Sequence, residues 1–223
     1  MRQYHVALIR VLTTGCDVVT YFQEENLEHA FPQLSIETFE IPDQPEGIHD
    51  NSSYKKAVPK IMALARQIAP SFEGIMINCA GDPAVDILEK ELTIPVTGAG
   101  RPAALLALAK SDKVGVLGIN KECPDNYREV LGDSLTGYEC PEGIVTSSDL
   151  QTEEGKKAIR SAAEILVAKG ADTIVFACTG YTVTGVWDHL RDLPVRIIDP
   201  SYAQALQMLA ECFGKYGTDL RIH

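Results

Sequence analysis

Two stretches of this chain, Glu73-Gly-Ile-Met-Ile-Asn-Cys79-Ala-Gly81 and Asp172-Thr-Ile-Val-Phe-Ala-Cys178-Thr-Gly180, are built alike and stand 99 residues apart. Each runs an apolar strand into a single cysteine and places a glycine two residues on. Sixteen residues beyond each cysteine a proline sits inside a second short apolar run, Ile94-Pro95-Val96 and Leu193-Pro194-Val195. Pro45-Glu-Gly-Ile48 likewise recurs as Pro141-Glu-Gly-Ile144, and Val6-Ala-Leu-Ile answers Val114-Gly-Val-Leu. The register holds without a gap from each cysteine to its proline, and the duplication suggests two similar halves that aim two thiols at one cleft.

Apolar runs at 6–11, 35–41, 74–78, 94–97, 113–119, 135–140, 173–177 and 195–198 read as strands. Segments of helical periodicity lie between most of them: Asp17 to Ala30, Tyr54 to Ala69, Pro83 to Leu92, Pro102 to Lys110, Pro124 to Leu131, Glu153 to Lys169, Val183 to Arg191 and Tyr202 to Tyr216. Pro59 is expected to start or kink the second of these. Strands separated by helices imply parallel pairing through crossovers, so the expected fold is α/β with two pseudo-symmetric open parallel-sheet lobes. The N-terminal lobe is expected over 1–99, with 200–223 packing back on it, and the C-terminal lobe over 100–199.

The 223 residues carry a formal net charge of −11 and no Lys/Arg stripe, which argues against nucleic acid as a partner. The longest apolar runs fall far short of the roughly 20 residues of a spanning helix, and Met1-Arg-Gln-Tyr leads directly into a strand, so no membrane and a cytoplasmic location are expected. Six widely spaced cysteines without a C-x-x-C fit reduced thiols, and the five histidines show no metal spacing.

In an open parallel sheet, ligands bind beyond the carboxyl ends of the strands, which is where Cys79 and Cys178 fall. Asp82-Pro83 reads as the N-cap and first residue of a helix, and Thr179, Thr182 and Thr184 offer similar capping after Cys178. Helix N-termini there are expected to draw a thiol from about 8.5 to roughly 7–8. Two thiols facing one site resist joint ionisation, so one thiolate and one thiol is the expected state. That state suits proton removal from a carbon beside a carbonyl on one face and proton return on the other, with no cofactor. Backbone N–H groups around Ala80-Gly81 and Thr179-Gly180 are placed to hold the developing oxyanion. Arg10, Thr13, Thr14, Asp82 and Tyr181 are further candidate substrate contacts; Arg10 suits a carboxylate. Cys16 follows the first strand and is a weaker candidate, whereas Cys140 and Cys212 read as core. Gly98-Ala-Gly100 reads as a tight turn between lobes.

Cys79-Ala-Gly-Asp82-Pro83 with Ile94-Pro-Val-x-Gly98, and Cys178-Thr-Gly-Tyr-Thr182 with Ile198-Asp199-Pro200, resemble the two signatures of hydantoin and allantoin racemases within the aspartate/glutamate racemase superfamily. The resemblance implies a two-lobed fold with a cleft, a small-molecule substrate, a homo-oligomer, no cofactor, and Cys79 and Cys178 as the acid/base pair. The chain differs from hydantoin racemases in reading Ile9-Arg-Val-Leu-Thr-Thr14 where they carry an Asn-Pro-Asn-Thr-like run, and from glutamate racemases in having Gly180-Tyr181 where they place a histidine. Alternatives left open are an aspartate/glutamate-type racemase, a maleate isomerase-like enzyme, and a non-catalytic binding protein of the same fold. Arylmalonate decarboxylases keep one of the two cysteines, so the presence of both argues against them.

Overall fold

The computed structural model describes residues 2–15 and 17–217. Among the described residues eight strands and eight α-helices alternate: β1 Tyr4–Arg10, α1 Asp17–Ala30, β2 Leu34–Glu40, α2 Asn51–Ile68, β3 Gly74–Asn78, α3 Val85–Glu91, β4 Val96–Thr97, α4 Gly100–Leu108, β5 Val114–Leu117, α5 Asp125–Leu131, β6 Leu135–Glu139, α6 Glu153–Ala168, β7 Thr173–Phe176, α7 Trp187–Leu190, β8 Arg196–Ile198 and α8 Pro200–Tyr216. The strands form two all-parallel sheets with the same order, β2-β1-β3-β4 and β6-β5-β7-β8. The internal repeat is therefore a repeat of topology, and Cys79 and Cys178 follow the equivalent strands β3 and β7. No described helix is long and apolar enough to cross a membrane.

Alternation along the central strands sends successive side chains to opposite faces of each sheet. In the first sheet Ala7, Ile9, Ile75 and Ile77 meet Ala57, Ile61 and Ala65 of α2 and Val85 and Leu88 of α3. Val6, Leu8 and Met76 face the other way, against Leu27 of α1 and Ala205, Met208 and Cys212 of α8. In the second sheet Leu117, Ile174 and Phe176 pack on Ile159, Ala163 and Leu166 of α6. Val114, Val116 and Val175 pack on Ala103, Ala104 and Ala107 of α4 and on Tyr127 and Leu131 of α5. The two linking helices are thus exchanged: α4 leaves the first sheet to cover the second, and α8 leaves the second to cover the first.

Several boundaries differ from the sequence expectation. Helix α2 begins three residues early because Asp50 and Ser53 form a reciprocal capping box. Pro59 lies inside it on an exposed face, so the backbone bond it cannot make belongs to solvent-facing Lys55. Helix α3 starts at Val85 rather than Pro83, because Asp82 and Ala84 both adopt positive φ (49° and 65°) and break the helical path. The span expected to be one helix over Val183 to Arg191 is instead a 3₁₀ turn, Thr179–Val183, then the four-residue α7, interrupted by Gly185 at φ 67°. The Pro-Glu-Gly-Ile repeats are matching turns, with Gly47 and Gly143 at φ 65° and 79°, conformations that favour glycine.

Candidate active site

The carboxyl ends of both sheets open onto one cavity of about 1150 Å³, lined by Arg10, Thr14, Tyr54, Cys79, Ala80, Gly81, Asn120, Cys178, Thr179 and Gly180 among others. Both cysteines are free and half-buried in its wall. They sense one another: charge on Cys178 raises the pKa of Cys79. Each sulfur also meets the backbone N–H two residues on. Gly180 N donates to Cys178 Sγ at 3.3 Å, and the Gly81 N–H plays the same part for Cys79. The glycine that follows each cysteine in sequence is a thiolate donor in space.

Those donors do not bring the thiols to near neutrality. Burial pushes Cys79 up to about 12, against the opposing Gly81 bond, and Cys178 up to about 11, against the Gly180 bond. The expected fall to 7–8 is corrected. Its premise was a helix N-terminus beside each thiol, but α3 begins six residues after Cys79 and only a short 3₁₀ turn follows Cys178. Loss of water outweighs one amide dipole.

Of the candidate substrate contacts, Arg10, Thr14, Ala80, Gly81, Thr179 and Gly180 line the cavity; Thr13, Asp82 and Tyr181 do not. The Thr13 hydroxyl donates to Ile41 O and accepts from Gln44 N, so it holds the loop after β2. Tyr181 is fully buried, stacks on Phe176 at 4.5 Å between centroids, and donates its hydroxyl to Gly118 O at 3.1 Å. Asp82 caps a helix, but not its own: its carboxylate accepts from Gly100 N and Arg101 N at the start of α4, each at 2.7 Å. The Gly98 and Gly100 pair makes room for this. A Cβ on Gly98 would stand 2.1 Å from Asp82 Oδ1, and one on Gly100 2.0 Å from Ala80 O. Cys16 lies outside the described residues. Cys140, expected in the core, stands just past β6, half-buried in the cavity wall, and Cys123 joins it there.

Arg10 and Glu40 end the paired strands β1 and β2 in direct register and form an ion pair at 3.0 Å. Glu40 also accepts from Thr14 N, from the Thr14 hydroxyl and from Gly15 N. Burial raises this carboxyl, but those bonds and the Arg10 charge together hold it below its ordinary value. The first-lobe wall is therefore organised around a neutral pair.

Further side chains and bonds also shape the site. Tyr54 stands by Cys79, where burial and then the Cys79 charge raise its phenol. Asn78 precedes Cys79 and bonds Gln23, Ser201 and Gln204 in a buried polar network that ties α8 to β3. Thr179 Oγ1 donates across the cleft to Asn78 O at 3.3 Å. Asp199 caps α8 and bonds Thr182 after Cys178. Among the described residues no group of three His, Cys, Asp or Glu side chains is placed to hold a metal ion.

The family model for the Asp/Glu/hydantoin racemases matches residues 9–208. The chain belongs to this family. It is a racemase, an isomerase by reaction class. The glutamate racemase of Sulfurihydrogenibium sp. (strain YO3AOP1) is 27% identical over 214 residues, spanning 87% of this chain and 79% of its own. The fold matches that of allantoin racemase from Klebsiella pneumoniae with a TM-score of 0.80 at 16% identity, over 96% of this chain and 89% of that one. It matches glutamate racemase from Bacillus anthracis with a TM-score of 0.70 at 16% identity, over 97% and 84%.

Proposed function

We propose that this racemase works without a cofactor, with Cys79 and Cys178 as its two bases, on a stereocentre next to a carbonyl. The observation that carries the reading is the placement of two coupled thiols, at the ends of equivalent strands, on the wall of one cavity. One sulfur, as thiolate, takes the α-proton and leaves an enolate. The opposite thiol then gives its proton to the other face of that carbon. The enzyme is left with its thiol and thiolate exchanged, so it is ready for the opposite enantiomer, and proton exchange with solvent restores the first state.

The raised thiols set the energetic demand. With Cys178 at about 11, holding it as thiolate at pH 7 costs about 5 kcal/mol, at about 1.4 kcal/mol per pKa unit. A polar substrate entering beside the Gly81 and Gly180 amides adds dipoles that favour the charged sulfur. The substrate proposed is a 5-substituted hydantoin or a related uncharged ring, because the Arg10–Glu40 pair offers no net charge to a carboxylate. The second reading is an amino-acid racemase, favoured by the glutamate racemase relative.

The test incubates the protein in D₂O with a panel of hydantoins, aspartate, glutamate and neutral amino acids, following optical rotation and deuterium at the α-carbon. Racemisation of a hydantoin, abolished in both Cys79→Ala and Cys178→Ala, is the expected result. Undiminished racemisation in either variant refutes the two-base assignment. Turnover of glutamate alone selects the second reading.

A further inference from the structure

We propose that Asn126, on α5 of the second lobe, is a positioning residue for Cys79 in the first. Its Nδ2 donates to Ala80 O at 2.9 Å and to Asp82 Oδ2 at 2.7 Å, so a side chain of one lobe grips the loop that carries the other lobe's cysteine. The loop needs gripping. Asp82 and Ala84 hold positive φ without being glycine, a strained geometry that lasts only where the surroundings over-determine it. Asp82 N is bonded to Cys79 O at 3.1 Å, which transmits the position of Asp82 to the cysteine backbone. The carboxylate of Asp82 has three donors: the first two N–H groups of α4 and Asn126. The first two are backbone and fixed by their helix, so Asn126 is the donor that a single side chain supplies.

Asn126 acts on one loop only. The loop after Cys178 is held by different bonds, from Tyr181 to Gly118 O, from Thr182 to Asp199 and from Thr179 across the cleft to Asn78 O. Loss of Asn126 therefore misplaces Cys79 and spares Cys178. Under the two-base reading, on which this inference rests, that difference has a kinetic signature which general loosening of the fold lacks. A racemisation has an equilibrium constant of one, so kcat/KM falls equally for both enantiomers and cannot reveal which base is affected. The partition of the intermediate can. With the enantiomer whose proton goes to Cys178, a misplaced Cys79 is slow to deliver its proton, and the intermediate returns to Cys178 after exchange with solvent. Deuterium then enters the unreacted starting enantiomer. With the other enantiomer the slow step is the abstraction itself, and no such build-up occurs.

The experiment uses the full chain with Asn126→Ala and with Asn126→Asp, which keeps the shape and removes the donor, on the substrate found in the panel above. The expected result is a fall in kcat/KM of about tenfold to a hundredfold, the scale of an ångström-level misplacement. It is accompanied by deuterium wash-in, relative to inversion, that rises for one enantiomer only. Equal wash-in for the two enantiomers, or unchanged kcat/KM, overturns the proposal. So does loss of folding in both variants by circular dichroism, since Asn126 would then be a structural residue. The cysteine variants separate the two levels: if Cys79→Ala still racemises, the two-base reading fails; if it is inactive and the Asn126 variants are symmetric, only this inference fails.

Discussion

Asp199→Asn should make the protein less sensitive to pH over the range where its carboxyl titrates. Asp199 is 6% exposed at the start of α8. Its Oδ1 accepts from Ser201 N at 2.8 Å and from Thr182 Oγ1 at 2.9 Å, while Oδ2 is buried with no partner among the described residues. Burial, partly opposed by those bonds, raises its pKa from 3.8 to about 6. A carboxyl raised on folding binds its proton more tightly in the native state. Its contribution to stability is thus full below about pH 4 and is lost as pH rises through 6. About two units at about 1.4 kcal/mol each give about 3 kcal/mol. Asparagine keeps the Oδ1 acceptor and cannot titrate, so the stability difference, variant minus wild type, should move by about 3 kcal/mol in favour of the variant between pH 4 and 7 and stay level above that. Urea unfolding across that range measures it, and the other titrating groups cancel in the difference. A pH-independent difference would show that the carboxyl is not held protonated by burial. The same variant removes a charge that raises Cys178, so Cys178 should be alkylated faster than in wild type at fixed pH.

In the wild type without substrate, iodoacetamide labelling of Cys79 and Cys178, read by mass spectrometry, should be slow at pH 7 and rise about tenfold per pH unit up to pH 10, as thiols near 12 and 11 require. A plateau near pH 8 would contradict the burial argument. Gly100→Ala should destabilise by about 3 kcal/mol or misplace the Cys79 loop, because its Cβ would press on Ala80 O at 2.0 Å; an unchanged melting temperature with full activity would refute this. Tyr181→Phe should cost about 1–2 kcal/mol by stranding Gly118 O, with KM unaltered, and a raised KM without loss of stability would return Tyr181 to the substrate site. Glu40→Gln removes a negative charge beside Arg10, so an anionic amino acid should gain in kcat/KM relative to a hydantoin; a constant ratio would remove Glu40 from specificity.

The strands and the pseudo-symmetric order were legible because a parallel sheet covered on both faces leaves continuous apolar runs in the chain: the runs 74–78 and 173–177 become β3 and β7 within a residue. The cysteine positions followed, since strand ends in such sheets face the ligand. What failed to read were side chains whose partners lie far along the chain. Asp82 before Pro83 has the local form of an N-cap, yet its carboxylate serves α4, 18 residues on. Tyr181 sits in the cysteine motif, yet its hydroxyl goes to Gly118, 63 residues back. Asn126 and Tyr54 carry no local signal, because an isolated polar residue on a helix looks like solvated surface until the other lobe is set against it.

The two halves share a topology but not a means of holding their cysteines. The Cys79 loop is strained, and it is tied to the second lobe through Asn126 and to the N-terminus of α4 through Asp82. The Cys178 loop turns as a 3₁₀ segment secured by the buried Tyr181 and by Thr182. Under the proposed two-base reading the bases need like reactivity but face substrates that are not symmetric, so the sulfurs and their i+2 amides can repeat while their supports diverge. In this chain the Cys79 loop takes its cross-lobe bonds from Asn126, whereas the Cys178 loop makes its own through Thr179 to Asn78 O.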